Sequence, residues 1–315
     1  MQLARLFLMV GVVGLAAVTA RADANNAQPL SLQQATQTDD EAQATLGNGP
    51  LFMGETSPGV SAHVPPKAEE PFDNDYRQVN SFFNIREANP DVEKGQFQVE
   101  HWMKWDTKSN GRDDNFGMQQ AFRYGITNSF FAEISVQEPN LGDGDRQGAG
   151  DIGIVLFNRF VKEVKGGDTP AVAGIAELRL PSGHGSRNTD IKLTGIVTKS
   201  LEWGMRAHFQ GYIQSANGGY SDYVDCDRRD IQFGFGPGFD WEVDDKTLVL
   251  INYLNKSSDK NGDHNNNILE LGATRQIVAT ERMQEHIKVA IDVGLDGQDE
   301  TPNFGAKFLW SITWR

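Results

Sequence analysis

The sequence predicts an all-β fold, a transmembrane antiparallel up-and-down β-barrel of about twelve strands. Three observations carry this: an aromatic alternating segment at the C-terminus, a series of alternating runs before it, and a regular alternation of long and short connections. In Asn303-Phe-Gly-Ala-Lys-Phe-Leu-Trp-Ser-Ile-Thr-Trp-Arg315, one register gives Phe304, Ala306, Phe308, Trp310, Ile312 and Trp314. The other gives Gly305, Lys307, Leu309, Ser311 and Thr313. A strand shows its two faces at period two. A last strand with an aromatic outer face is what closes a membrane barrel.

The chain begins with Arg5, an apolar run from Leu6 to Val18, and Ala20-Arg21-Ala22. This pattern predicts a secretory signal peptide over 1–22. Residues 23–94 are rich in Gln, Ala, Asn, Asp and Pro, without a sustained period. They are expected to form an irregular periplasmic arm or plug, whose Phe82-Phe83-Asn-Ile85 patch is a candidate for docking.

From residue 95 to 315 the alternating runs fall at 96–105, 116–126, 130–137, 150–161, 171–180, 190–200, 204–214, 230–241, 247–255, 268–278, 286–295 and 303–314. Met205, Ala207, Phe209, Gly211 and Ile213 oppose Arg206, His208, Gln210, Tyr212 and Gln214. The connections are long at 106–115, 138–149, 181–189, 215–229, 256–267 and 296–302, and mostly shorter between. Outer-membrane barrels have long loops outside and short periplasmic turns. An even strand count puts both barrel ends in the periplasm of a diderm bacterium. A soluble β-sandwich also alternates, but does not require aromatic outer faces. Two features depart from the pattern. Pro237 lies within a strand, so its missing N–H must fall at a bulge or beyond the pairing. Residues 247–255 are apolar on both faces, as expected of a strand that covers a buried arm or lines an apolar part of the lumen.

Composition agrees. The chain has 315 residues, 33 Gly, 18 Phe and a hydrophobic fraction of 38%, which suits a barrel with a polar lumen. The net charge of −14 argues against nucleic acid as a partner. One cysteine, Cys226, leaves no internal disulfide framework, and its acidic surroundings mark it as an incidental loop residue. The partners expected are outer-membrane lipid, the outer-membrane assembly machinery and a small-molecule solute. No cofactor is expected.

Tyr124-Gly-Ile-Thr-Asn128, Gly148-Ala-Gly-Asp-Ile-Gly153 and Leu178-Arg-Leu-Pro-Ser-Gly183 occur in order at strand junctions. Over about 116–201 the chain resembles the outer-membrane barrel family associated with the meta-pathway of phenol degradation. The resemblance implies a transporter-type barrel and no catalytic residues.

Three candidate sites emerge. Asp259, Asn261, Asp263, Asn265 and Glu270 have the spacing of a calcium loop. His264 stands where such a loop needs glycine, and a solvated loop is the plainer reading. His184, Ser186 and Asn188 are residue types of a hydrolase triad, but in a predicted loop they read as turn chemistry, and the chain is not expected to be an enzyme. The better surface is the lumen, lined by Glu100, Lys104, Arg123, Glu133, Arg159, Glu177, Arg179, Lys192, Arg206, His208, Asp230, Lys288, Asp292 and Lys307. These charges pair to satisfy a polar interior or form a selective constriction, and their basic excess predicts a weak anion preference. The function expected is a channel or transporter-like barrel for small solutes, aromatic or hydrophobic ones included. The alternative is a structural or surface-binding barrel with a blocked lumen.

The topology has a direct check. Cysteines placed at Asn217 and Lys260 should be labelled on intact cells, and one at Asp244 should not. The reverse pattern would invert the barrel.

Overall fold

The computed structural model describes residues 78–107, 115–137, 150–164, 166–183, 189–215, 229–258, 262–296 and 303–315. The predicted signal peptide, Cys226, and His184, Ser186 and Asn188 lie outside the described residues.

Twelve strands follow in chain order: β1 (Phe97–Thr107), β2 (Asn115–Gly125), β3 (Phe130–Gln137), β4 (Ile152–Val161), β5 (Ala171–Leu180), β6 (Asp190–Ser200), β7 (Met205–Ser215), β8 (Ile231–Asp244), β9 (Thr247–Lys256), β10 (Asn266–Ala279), β11 (Met283–Gly294) and β12 (Phe304–Trp314). Each pairs antiparallel with its neighbours in sequence, and β1 pairs with β12 to close the barrel. Predicted boundaries differ from these by three residues at most, at the end of β8 and the start of β11. Closure gives every strand two partners, so no edge is left with unpaired backbone groups.

The two faces separate as their period dictates. On β12, Phe304, Phe308, Trp310 and Trp314 are exposed, while Leu309, Ser311 and Thr313 are buried. The β1–β12 seam carries an aromatic pair at each end: Phe97 stacks on Trp314 at 5.9 Å, and Trp105 meets Phe304 edge-on at 6.2 Å. Aromatic girdles above and below an apolar band are the mark of a lipid-facing barrel wall.

The family-like motifs are strand-end clasps. Gly183 N–H donates to Asp151 Oδ1 at 2.9 Å, and Ile152 N–H donates to Ser182 Oγ at 2.8 Å. The Gly-Asp-Ile and Leu-Pro-Ser-Gly segments therefore bind each other at the long-loop mouth. At the other mouth, Thr127 Oγ1 accepts from the Ser129 and Phe130 N–H groups. Pro237 is resolved by a gap in one ladder. Its β7 neighbour is Phe209, but pairing with β9 stops after Phe235↔Asn255 and resumes at Gly238↔Asn252. Three register shifts, at Arg159/Val161, Glu242/Asp244 and Gln276/Val278, fall toward the short-turn mouth, since bulges concentrate at barrel rims.

Residues 78–96 run inside the barrel. Glu87 N–H donates to the Val79 carbonyl at 2.8 Å, and Val79 N–H donates back to Glu87 Oε1 at 2.9 Å. These bonds tie off a loop with its apex near Asn84. Phe82 and Phe83 pack against Leu248, Leu250, Ala290, Leu309 and the partly buried Trp102. The second apolar face of residues 247–255 is thus a docking surface for the loop. On the opposite wall, Ala88 and Val92 pack on Phe131, Phe157, Ala171, Ala173 and Ile196. Two inward glycines make room. A Cβ at Gly272 would lie 2.6 Å from the Phe83 ring, and one at Gly125 would lie 1.7 Å from the Glu93 carbonyl oxygen.

The facing of β7 makes a measurable contrast. Phe209 is exposed on the outer wall, and Gln210 is buried against the loop. Phe209→Arg should lower the folded yield in bilayers, because a midplane Arg on the lipid face costs about 2–4 kcal/mol. Gln210→Arg should leave insertion intact. Equal yields would show that Phe209 does not face lipid.

Candidate functional site: a plugged lumen

Thirteen of the predicted lumen residues lie on inward positions of the strands; Asp230 precedes β8 and is exposed. Most of the inward charges are engaged, and four basic residues, Arg123, Arg159, Arg206 and Lys307, bind the loop to the wall.

Arg123 on β2 is buried. Its Nη1 lies 2.7 Å from Glu100 and 3.4 Å from Asp91 of the loop, and its Nε binds Glu133. Its Nη2 donates to Ser81 Oγ at 3.2 Å. Asn80 Nδ2 donates to Glu100 Oε1 at 2.5 Å, joining the loop to β1 as well.

Arg206 on β7 bridges Asp240 of β8 at 2.7 Å and Glu87 of the loop at 2.6 Å. His208 lies between Thr198 and Asp240. Ala88 N–H donates to Thr198 Oγ1 at 2.8 Å, so the Thr198 hydroxyl proton is free for His208 Nδ1, 3.0 Å away. His208 Nε2–H then donates to Asp240 Oδ2 at 2.7 Å.

Lys307 on β12 contacts Glu270 at 2.6 Å, Asp292 at 2.9 Å and the Asn84 side-chain oxygen at 3.0 Å. Asn84 also donates from its backbone to Glu270 and from Nδ2 to Asp292, and its carbonyl accepts from Gln210. One apex residue thus contacts four strands. Beside it Arg86 lies 4.7 Å over the Phe157 ring, a cation–π arrangement, and pairs with Asp91 at 3.1 Å.

Above the loop, toward the long-loop mouth, lies a cavity of about 290 Å³. Its floor includes Ser81, Asn84 and Arg86, and its walls include Glu177, Arg179, Lys192, Tyr212, Val155 and Leu254. Arg179 donates to Glu177 at 3.0 Å, and the Lys192 ammonium lies 4.5 Å over the Tyr212 ring. This vestibule offers both charge signs beside apolar and aromatic surface. Lys104 pairs with Asp106 at 2.8 Å, and Arg159 donates to Asn89 of the loop at 3.1 Å.

The described residues of the calcium-loop spacing are divided between the lumen and the loop. Glu270 lies inside the barrel on β10, bound to Lys307, while Asp263 is exposed and Asn265 donates to Asn255. Asp259 and Asn261 lie outside the described residues. The basic excess disappears, because Asp106, Asp240 and Glu270 face inward and the loop adds Glu87 and Asp91. Asp106 and Asp240 could have been found from the period of their own strands. Glu87 and Asp91 carry no such signal, since their segment has no period.

No protein-family model and no curated protein matches the sequence. Among solved structures, the chain is similar to an outer membrane channel from Pseudomonas putida F1. The two share 12% identity at a TM-score of 0.54, over 72% of this chain and 98% of that one. The fold is that of an outer-membrane barrel. More distant similarities include the NanC porin, with 9% identity, a TM-score of 0.44 and 70% and 99% of the two chains covered. Another is the Acinetobacter baumannii outer membrane protein Omp33, with 9% identity, a TM-score of 0.41 and coverage of 70% and 98%.

Arg206 is the anchor whose loss is simplest to read. Arg206→Met leaves the Glu87 and Asp240 carboxylates buried without its charge, at a cost of about 3–5 kcal/mol. The urea midpoint should fall, and residues 78–96 should become protease-sensitive. An unchanged midpoint with a protected loop would show that this pair does not hold the plug.

Proposed function

We propose that this protein is an outer-membrane channel for small solutes, gated by its own residues 78–96, in a diderm bacterium. The long loops are extracellular and the short turns periplasmic. One observation carries the reading: a mixed-polarity vestibule at the long-loop mouth ends on the loop, whose contacts are largely polar. Buried charges attract each other, but separating them into water returns their hydration, so ionic anchors release more readily than an apolar seal of equal area.

The vestibule suits small solutes that combine a polar group with an apolar or aromatic body. Tyr212, Val155 and Leu254 supply the apolar surface, and Glu177, Arg179 and Lys192 the polar one. The strand-end motifs support a place among the barrels associated with the meta-pathway of phenol degradation. Lipid, the assembly machinery reading the aromatic last strand, and the solute are the partners. No catalytic role is assigned to any lumen residue.

A second reading is a permanently blocked structural barrel. It is favoured by the apolar clusters that seat Phe82, Phe83, Ala88 and Val92 on opposite walls.

Conductance separates the two. In planar bilayers the full-length protein should open rarely, whereas Gly272→Val, which fills the seat of the Phe83 ring, should open more often. If neither conducts although the variant's loop is protease-sensitive, the barrel is structural.

A further inference from the structure

Lys288 stands apart from the other lumen cations. It is 0% exposed, and its Nζ has neither a hydrogen bond nor an ion pair. Thr274 Oγ1, Gln276 Nε2 and Ser311 Oγ are also buried without partners. The ladders bring these four together. Thr274 is directly opposite Lys288 across β10–β11. Gln276 and Ser311 lie opposite His286, the next inward residue along β11, on either side. Directly opposed residues have Cβ atoms about 4.5–5.5 Å apart and diagonal ones about 7–8 Å, within reach of a lysine. The carboxylate nearest in this lattice is Glu100, opposite Ser311 on β1. It is engaged by Arg123 and Asn80. Asp91 and Glu87, the loop carboxylates whose charge also reaches Lys288, are paired with Arg86 and Arg123 and with Arg206 respectively.

Around the His286 ring, these four strand residues present an ammonium, an amide NH₂ and two hydroxyls, with no strand carboxylate there among the atoms left without a hydrogen bond. A buried cation needs a counter-charge, and buried donors need acceptors. Water supplies acceptors but no charge. We propose that the inner wall of β10, β11 and β12 holds an anion site, in which Lys288, Thr274, Gln276 and Ser311 bind a carboxylate group. Lys288 supplies the charge, Thr274 and Ser311 donate from either side, and Gln276 closes the short-turn side. The site lies apart from the vestibule and does not depend on the barrel conducting.

The test uses the full-length protein in detergent, with acetate as probe in a buffer whose only other anion is the bulky HEPES sulfonate at matched ionic strength. The denaturation midpoint should rise saturably with acetate. Lys288→Met should weaken the apparent acetate affinity roughly tenfold or more, the scale of a lost charge-assisted hydrogen bond. Without acetate this variant should be at least as stable as the parent, because it removes a lone buried charge. Lys104→Met, at a lysine paired with Asp106, should respond to acetate as the parent does. A parent with no acetate response, or Lys288→Met with an undiminished one, would overturn the site.

Discussion

Closure of β1 on β12 is the constraint on which everything else rests. In hydrocarbon no water replaces a missing backbone partner, so each strand needs two neighbours. The seam meets this over eleven consecutive residue pairs, from Phe97↔Trp314 to Thr107↔Phe304. Once the sheet is closed, period two fixes which side chains meet lipid and which meet the lumen. A one-residue slip would put Lys307 outside and Phe308 inside. The aromatic pairs at both ends of the seam add contacts that only the observed register provides.

A closed barrel then poses a second problem, since its polar lining must be hydrated or paired. Here a chain segment supplies the partners. Arg123, Arg206 and Lys307 each bind wall carboxylates and a loop residue at once. Without the loop, the wall pairs Arg123–Glu100, Arg206–Asp240 and Lys307–Asp292 would persist in a hydrated lumen. For these three cations the wall supplies its own counter-charges, and the loop can leave without stranding them. That is the physical basis for reading 78–96 as a gate. The apolar seats on the two walls work against release, because burying a side chain such as Phe83 stabilises the docked state by about 1.5–3 kcal/mol.

Much of the wall was legible in the sequence and little of the plug. Strand positions follow from a local period, as does the inward facing of Arg123, Lys288 and Lys307. The doubly apolar run 247–255 announced something to cover, and Leu248 and Leu250 receive Phe82 and Phe83 there. The cover itself has no period, because an irregular loop satisfies its backbone one bond at a time. Many of its contacts also span great sequence distances, such as 124 residues for Arg86 with Gln210 and 223 for Lys307 with Asn84. No local pattern encodes such pairs. Glu270 is the converse case. Its spacing from Asp259 matches a calcium loop, for which a solvated loop is the plainer reading, and the strand that begins at Asn266 turns Glu270 into the lumen.

Lys288 shows where the two sources of information meet. Its inward facing follows from the alternation of Ile287, Val289 and Ile291 around it, so sequence alone placed a charge in the lumen. Sequence could not show that the neighbouring carboxylate would be taken by Arg123. Nor could it show that Thr274, Gln276 and Ser311 would surround the lysine with further donors. Arg123, Arg206 and Lys307 are each matched by carboxylates one or two strands away, so a lone lysine among them is not the wall's general habit. An uncompensated buried cation costs several kcal/mol. A wall that balances its other buried cations so closely would gain from replacing Lys288 by a leucine, unless an anion comes to it.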